Sequence, residues 1–186
     1  MRIRTLTPAD VEQLLDIDAT LESDRYLHVD VDAESLTGVF RFEERPLRQP
    51  LHAANAPDDA FKFSCRQVVG GIEEGIALAA DHNDVLLGTL LARTDFDHNT
   101  LRLLDLRVDY DHRRQGLASA LLFELVRQAR ETERRAVMAE VLSNNLPAVA
   151  FLFKAGFELS GIDTRRHSNH DLVKEQATLL WYLPLD

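Results

Sequence analysis

The chain has 186 residues, with 21 Lys+Arg against 31 Asp+Glu and a formal net charge of −10. Its 45% apolar and 28% charged content is ordinary for a globular chain, and the length suits one domain able to bury roughly 70% of its unfolded surface. The acidic balance argues against nucleic acid or an anionic membrane as partner, and the one cysteine, Cys65, excludes a disulfide framework or a multi-thiolate zinc site.

Met1 to Thr5 reads as a short strand. Thr7-Pro8 supplies an N-cap and a first-turn proline, and Val11, Leu14, Leu15 and Ile17 to Leu21 continue at helical spacing. Tyr26 to Val31 and Leu36 to Glu43 alternate polar and apolar residues as strands do. Arg45 to Pro57, with Pro46, Pro50 and Pro57, reads as loop, and Ser64 to Glu74 as helix. Ile76 to Ala80 and Val85 to Arg93 flank His82-Asn83-Asp84, a hairpin signature. A second turn at Asp97-His98-Asn99 leads into a strand over Leu101 to Val108.

A long helix over 114–132 follows, its stripe made by Leu117, Leu121, Leu125 and Ala129 and widened by Ala118, Leu122 and Val126. Ala136 to Leu142 is a strand, Asn145 to Lys154 a helix with Pro147 in its first turn, and Gly156 its stop. Phe157 to Ile162 and Thr178 to Pro184 are the last strands, joined by a polar loop. Strand 101–108, helix 114–132 and strand 136–142 form a β-α-β unit, whose strands must run parallel, whereas hairpins make the earlier strands antiparallel. The expected fold is therefore α/β (α+β): a mixed, mostly antiparallel central sheet with one parallel pair and flanking helices.

The sharpest local feature is Asp111-His112-Arg113-Arg114-Gln115-Gly116-Leu117-Ala118, set between a strand and a long helix. The first N–H groups of a helix lack internal partners and sit at the positive end of its dipole, so a diphosphate can accept them. Gly116 and Ala118 lack bulk, and Arg113 and Arg114 add cations to an acidic chain. A surface turn with two solvated arginines would look the same. No Gly-x-Gly-x-x-Gly or Walker loop is present.

Arg113-x-x-Gly116-x-Ala118 resembles the Arg/Gln-x-x-Gly-x-Gly/Ala signature of the GNAT superfamily of acyl-CoA-dependent N-acetyltransferases. Asn145-x-x-Ala148-x-x-Phe151 with Lys154-Ala155-Gly156-Phe157 resembles that family's second motif at the same distance downstream. Together they cover roughly residues 85 to 162. The tail, from Asp163-Thr164 to Trp181-Tyr182-Leu183, is similar to the streptothricin acetyltransferase branch, and the first 75 residues match nothing. The resemblance implies a GNAT-like acyl-CoA N-acyltransferase fold over residues 1–186, with 1–75 variable and 76–186 the acetyl-CoA-binding core and C-terminal strands.

The resemblance also implies roles. The loop Arg113, Arg114, Gln115, Gly116, Leu117, Ala118 and Ser119 would bind the coenzyme A pyrophosphate. Leu106, Arg107 and Val108 would hold the pantetheine arm like an added strand, with a backbone N–H near Leu106 facing the developing oxyanion. Asn145 would contact pantetheine and Phe151 would pack beside it, although Asn145 reads equally well as a plain N-cap. Acetyl-CoA is the expected co-substrate, and no metal is called for.

Amine acylation needs proton transfer, because only ~1 in 10³ of a lysine-type amine is neutral at pH 7. Glu140 is the first candidate base: strand alternation sets it with Met138 and Leu142, where desolvation would raise its pKa, and it matches the base glutamate of ribosomal-protein acetyltransferases in the family. An ion-paired glutamate is the plain alternative. Asp105 is second, with pairing to Arg107 as its other role. Family members commonly place an acidic tyrosine just after the Phe151 position; Leu152 stands there, leaving Tyr110, His112, Tyr182 and His167 as substitutes.

The loop Asp163 to Gln176, with Arg165, Arg166, His167, His170 and Asp171, is long enough to line an acceptor cleft, which Tyr26 to Pro57 would help shape. The expected partner is an amine, small molecule or peptide, with a homodimer through an exposed final strand as a further option. A non-catalytic acyl-CoA sensor is the alternative function. Met1 to Asp10 has no apolar stretch after it, and no segment approaches ~20 apolar residues, so neither a signal peptide nor a membrane span is expected and the cytoplasm is the expected compartment.

Overall fold

The computed structural model describes residues 1–32, 37–54 and 56–185. The chain divides into two compact units, Met1–Thr20 with Ala54–Ala139 and Tyr182–Asp186, and Leu21–Ala53 with Glu140–Trp181.

The first unit holds β1 (Arg2–Thr5), α1 (Pro8–Gln13) and, after the long insertion of β2 (Leu21–Asp32) and β3 (Val39–Ala53), α2 (Asp59–Val69). Then come β4 (Gly75–His82), β5 (Val85–Asp95), β6 (Thr100–Val108), α3 (Leu117–Glu131) and the start of β7 (Ala136–Leu142). Strand order is β1-β4-β5-β6-β7. Every pair there is antiparallel except β6–β7, which is parallel, as the β-α-β reading requires. The β4–β5 turn closes through Asn83 and Asp84, both with positive φ (50° and 62°), the left-handed pair that a two-residue hairpin wants. Leu6, Val11, Leu14, Ile17, Cys65, Val68, Ala77, Ala79, Leu86 and Leu91 pack as one apolar cluster. The α3 stripe of Leu117, Leu121, Leu122, Leu125 and Ala129 is buried as its spacing demands.

The second unit holds the β2–β3 hairpin, the end of β7, α4 (Leu146–Lys154), β8 (Glu158–Asp163) and the start of β9 (Thr178–Pro184). Strand order here is β7-β9-β8. The final strand is thus interior, and the exposed edge suggested as a dimer seam belongs to β8. Ser143 is the node: its N–H donates to Ala177 O (2.8 Å), its carbonyl accepts Leu27 N–H (2.9 Å), and its hydroxyl accepts Ala177 N–H (2.9 Å). Helix α4 packs against β2.

Three sequence expectations are corrected. Arg45 to Pro57 is largely strand: β3 runs to Ala53, with Pro46 opposite Arg25 and Pro50 next to Leu51 at the register shift between Ser23 and Arg25, the kind of irregularity where strands accept proline. The first helix stops at Gln13 with one 3₁₀ turn to Asp16, and Leu21 opens β2 instead of closing a helix. Helix α2 begins at Asp59, not Ser64; the Asp58 carboxylate caps it by accepting Phe61 N–H (2.7 Å), and Gly70-Gly71 ends it. Leu36, where the second early strand was expected to start, lies outside the described residues.

Candidate active site

The mouth of α3 is built by backbone. A 3₁₀ turn, Tyr110–His112, leaves β6, followed by Arg113 in extended conformation and Arg114 at φ +58°. Gly116 then takes φ +84° as the N-cap, a conformation L side chains rarely adopt; a Cβ there would meet nothing within 4 Å, so the space in front of it is open. No side chain caps the helix, and the first amide bonded back is Ala120 N–H, to Gly116 O (2.9 Å). The amides of Gly116, Leu117, Ala118 and Ser119 come before it and face out of the helix mouth. Gln115 Nε2 donates to Asp111 O (3.4 Å), bracing the loop.

Strand β6 changes character halfway. Leu91 faces Asp105 but Ala92 faces Leu103, so Leu104 is the extra residue of a bulge. Its ladder to β7 ends at the same point, with Leu103↔Ala139 the last pair. From Leu104 to Val108 the β7-side edge carries no strand partner among the described residues, which is what an extended polyamide arm needs in order to add as a strand. Arg113 Nε donates to Val108 O (3.2 Å) and its guanidinium lies 4.9 Å from the Tyr110 ring centroid, tying the loop to the strand end. Tyr110 itself is exposed.

Arg107 is buried, its guanidinium held bidentately by Asp105 (2.7 and 2.8 Å) and lying over the Phe61 ring (4.7 Å). Of Asp105's two expected roles, the pairing is the one present. Arg107 Nη1 and Thr89 Oγ1, on residues opposed across β5–β6, are buried without a hydrogen-bond partner. Burial and then the nearby Asp105 charge push the Cys65 thiol up to about 11, so this cysteine stays a thiol.

In the second unit, Asn145 caps α4 by accepting Ala148 N–H on Oδ1 (3.2 Å), leaving its Nδ2 outside the cap. Phe151 is half-buried and Leu152 is 2% exposed, a core residue. Glu140 does not stand alone among apolar neighbours: Arg166 Nη2 donates to its Oε2 at 3.0 Å. The loop between β8 and β9 is organised by buried Asp171, which accepts His167 N–H (2.9 Å), Ser168 Oγ–H (2.8 Å) and Gln176 Nε2 (3.2 Å) and is held below the usual carboxylate range chiefly by the His167 amide. Arg48 fastens that loop to β3 through Glu175 (3.1 Å) and the Val173 carbonyl. Sequence reasoning missed Ser143 and the role of Asp171; only the three-dimensional return of β9 beside β7 reveals the first, while Ser168-x-x-Asp171 carries a local turn signal for the second. His112 lies beside Asp109 (2.8 Å), and Tyr182 lies under Arg135 (5.8 Å). Among the described residues no group of three or more His, Cys, Asp or Glu is placed to hold a metal ion, and no helix is long and apolar enough to cross a membrane.

Comparison with known proteins bears on the fold and the family. The model of the acetyltransferase (GNAT) family matches residues 36–157. Streptothricin acetyltransferase A of Bacillus subtilis (strain 168) is 29% identical over 96 residues, 52% of this chain and 54% of that protein. Streptothricin acetyltransferase of Escherichia coli is 29% identical over 75 residues, 40% of this chain and 43% of that one. These matches span about half the length of the curated relatives or less. Among solved structures, nourseothricin acetyltransferase superposes with a TM-score of 0.78 at 24% identity, over 100% of this chain and 98% of that one. A Bacillus anthracis protein assigned as a streptothricin acetyltransferase, in complex with acetyl coenzyme A, gives 0.76 at 19% identity over 100% and 97%. With a family match over well more than half its residues and the mixed sheet those structures share, the chain belongs to the GNAT acetyltransferase family.

Proposed function

We propose that the chain transfers an acetyl group from acetyl-CoA directly to a primary amine of a small molecule or peptide. The observation that carries this reading is the pair of open backbone surfaces: the outward amides of Gly116–Ser119 and the unladdered edge of Leu104–Val108. The first suits a pyrophosphate and the second a pantetheine arm. Leu106 N–H is the proposed oxyanion donor, and Asn145 and Phe151 the proposed contacts along the arm. The thioester supplies an activated acyl carbon whose leaving thiol departs readily, cysteine's own pKa being ~8.5.

Glu140 is the proposed base for the attacking nitrogen, with Arg166 swinging aside as the cationic acceptor enters. The relatives' names make streptothricin and nourseothricin the first amines to offer. Calorimetric titration with acetyl-CoA, followed by thiol-release assays on an amine panel containing both, tests the reading. Saturable binding and transfer are expected, and no binding overturns it. Glu140→Gln is expected to lower kcat about 10²-fold with coenzyme affinity retained; unchanged turnover removes Glu140 from the mechanism. Binding with no transfer to any amine would replace catalysis by an acyl-CoA-binding module, a role that the buried, hydroxyl-free Leu152 favours.

A further inference from the structure

Acetylation of a protonated amine releases one proton per turnover to bulk water. An ammonium nitrogen gives up two protons on becoming an amide; one ends on the leaving sulfur and the other must leave the site. The second unit contains a hydrogen-bonded chain with the geometry of such an exit. Along β2, Tyr26, His28 and Asp30 alternate onto one face. Tyr26 Oη lies 3.0 Å from His28 Nδ1, and His28 Nε2 lies 3.0 Å from Asp30 Oδ1. Exposure rises along the chain: Tyr26 is 7% exposed, the His28 side chain 18% and the Asp30 side chain 53%. The buried end is fixed beside proposed machinery, since Leu27 N–H donates to Ser143 O, two residues before Asn145.

We propose that Tyr26, His28 and Asp30 form a proton exit for the acceptor ammonium, with Tyr26 touching the amine, His28 receiving the proton and Asp30 positioning the imidazole. The proposal rests on the amine-acetylation reading. The ammonium N–H passes its proton to Tyr26 Oη as the tyrosine's own proton moves to His28 Nδ1, leaving a neutral tyrosine and an imidazolium beside the Asp30 carboxylate. The imidazolium then releases a proton to water at the exposed end. The nitrogen, with its electron pair freed, forms the C–N bond. The C–S bond breaks with its pair going to sulfur, and sulfur takes the second nitrogen proton by way of Glu140. Asp30 selects the imidazole tautomer that accepts at Nδ1, as the carboxylate of a catalytic triad does.

The charged surroundings suit the traffic. Across β3, Glu43 stands opposite His28, and Arg45 pairs with both Glu43 (2.7 Å) and Asp30 (3.4 Å). Glu175 acts on Tyr26 from the loop and Arg45 and Arg48 act on it from β3, and the only charge on α4, which packs on β2, is Lys154. Burial, then Glu175, raises the Tyr26 phenol above its ordinary value, so Tyr26 keeps its proton except while passing one on. His28 held by its partner Asp30 keeps that carboxyl below the usual range.

The test is the pH profile of kcat/KM for an amine that the wild-type chain acetylates, across roughly pH 5 to 10. The wild type is expected to hold a plateau from neutral pH toward the free amine's pKa. His28→Asn, whose amide can bond to Tyr26 but cannot relay a proton, and Tyr26→Phe should each fall about 10²-fold at neutral pH. Both should lose the plateau, rising about tenfold per pH unit toward the free amine's pKa of ~10.4. Asp30→Asn should lose about tenfold, and Glu140→Gln should keep the plateau at a lower level. Acetyl-CoA affinity and far-ultraviolet circular dichroism should match the wild type in all of them. Wild-type profiles in both Tyr26→Phe and His28→Asn, or a loss of the same size at every pH, overturn the relay and leave acetyl transfer standing. Failure of the wild-type chain to acetylate any amine overturns the transfer reading, and the relay with it.

Discussion

The mouth of α3 and the loop from Asp163 to Gln176, the two proposed binding surfaces, are built in different ways. The first uses main chain: one glycine at φ +84°, four outward amides and a strand edge left open by a bulge. The second uses side chains: Asp171 gathering three donors, Arg166 on Glu140, Arg48 on Glu175. A backbone site has few solutions and leaves a short, ordered residue pattern. A side-chain site has many, and its partners come from wherever the fold brings the chain back.

The largest effect that separates the two belongs to Gly116. Replacing it by Val puts an L residue at a positive φ, costing about 1–2 kcal/mol in that conformation, and sets a branched side chain in the open space before the amides. Acetyl-CoA affinity is expected to fall by ~10²-fold in calorimetry while the fold, read by circular dichroism, persists. An affinity within about threefold of wild type would mean that the helix mouth is not where the coenzyme sits.

Asp171 is the counterpart on the other side. Asp171→Ala strands the His167 amide, the Ser168 hydroxyl and the Gln176 amide, of which the protein buries the acceptor at 1% exposure. A loss of about 2 kcal/mol in urea unfolding is expected, with the amine KM up about tenfold and acetyl-CoA affinity kept. An equal loss of affinity for both substrates would erase the division between the two regions.

The same contrast explains what was legible. Gly116, the α3 stripe and the Asn83-Asp84 turn follow local rules, so sequence placed them to within a residue or two. The β-α-β unit followed from chain connectivity, and with it the parallel β6–β7 pair. Prolines 46 and 50 misled because their positions at a register break depend on Ser23 and Arg25, more than twenty residues away. The pairing of Asp105 with Arg107 was legible, because residues two apart on a strand share a face, whereas nothing in Leu103-Leu104-Asp105 announces the bulge at Leu104. Tyr26, His28 and Asp30 lie on one face of the expected strand over Tyr26 to Val31, but the sequence reading did not single them out. What the sequence lacks is the hydrogen bond from Leu27 to Ser143, which fixes the buried end of the set at the β7–α4 junction.

The smallest effect concerns a carboxylate far from either surface. Asp10 is buried and accepts Arg4 Nη1 and Nη2 (2.7 and 2.8 Å), together with Thr7 N–H (2.6 Å), at the start of α1. The Arg4 guanidinium, against the opposing effect of burial, holds its carboxyl well below the usual carboxylate range. A group depressed on folding stabilises the native state above its unfolded pKa, ~3.9, and that stabilisation disappears as pH falls through the lower folded value. Asp10→Asn should therefore cost about 2 kcal/mol at neutral pH, and the gap to wild type should narrow steadily below pH ~4. Urea midpoints at neutral and acid pH measure it. Because the pair ties β1 to α1 and touches neither candidate surface, kcat and both substrate affinities should hold at neutral pH; a change in either would mean that the first helix reaches into the site.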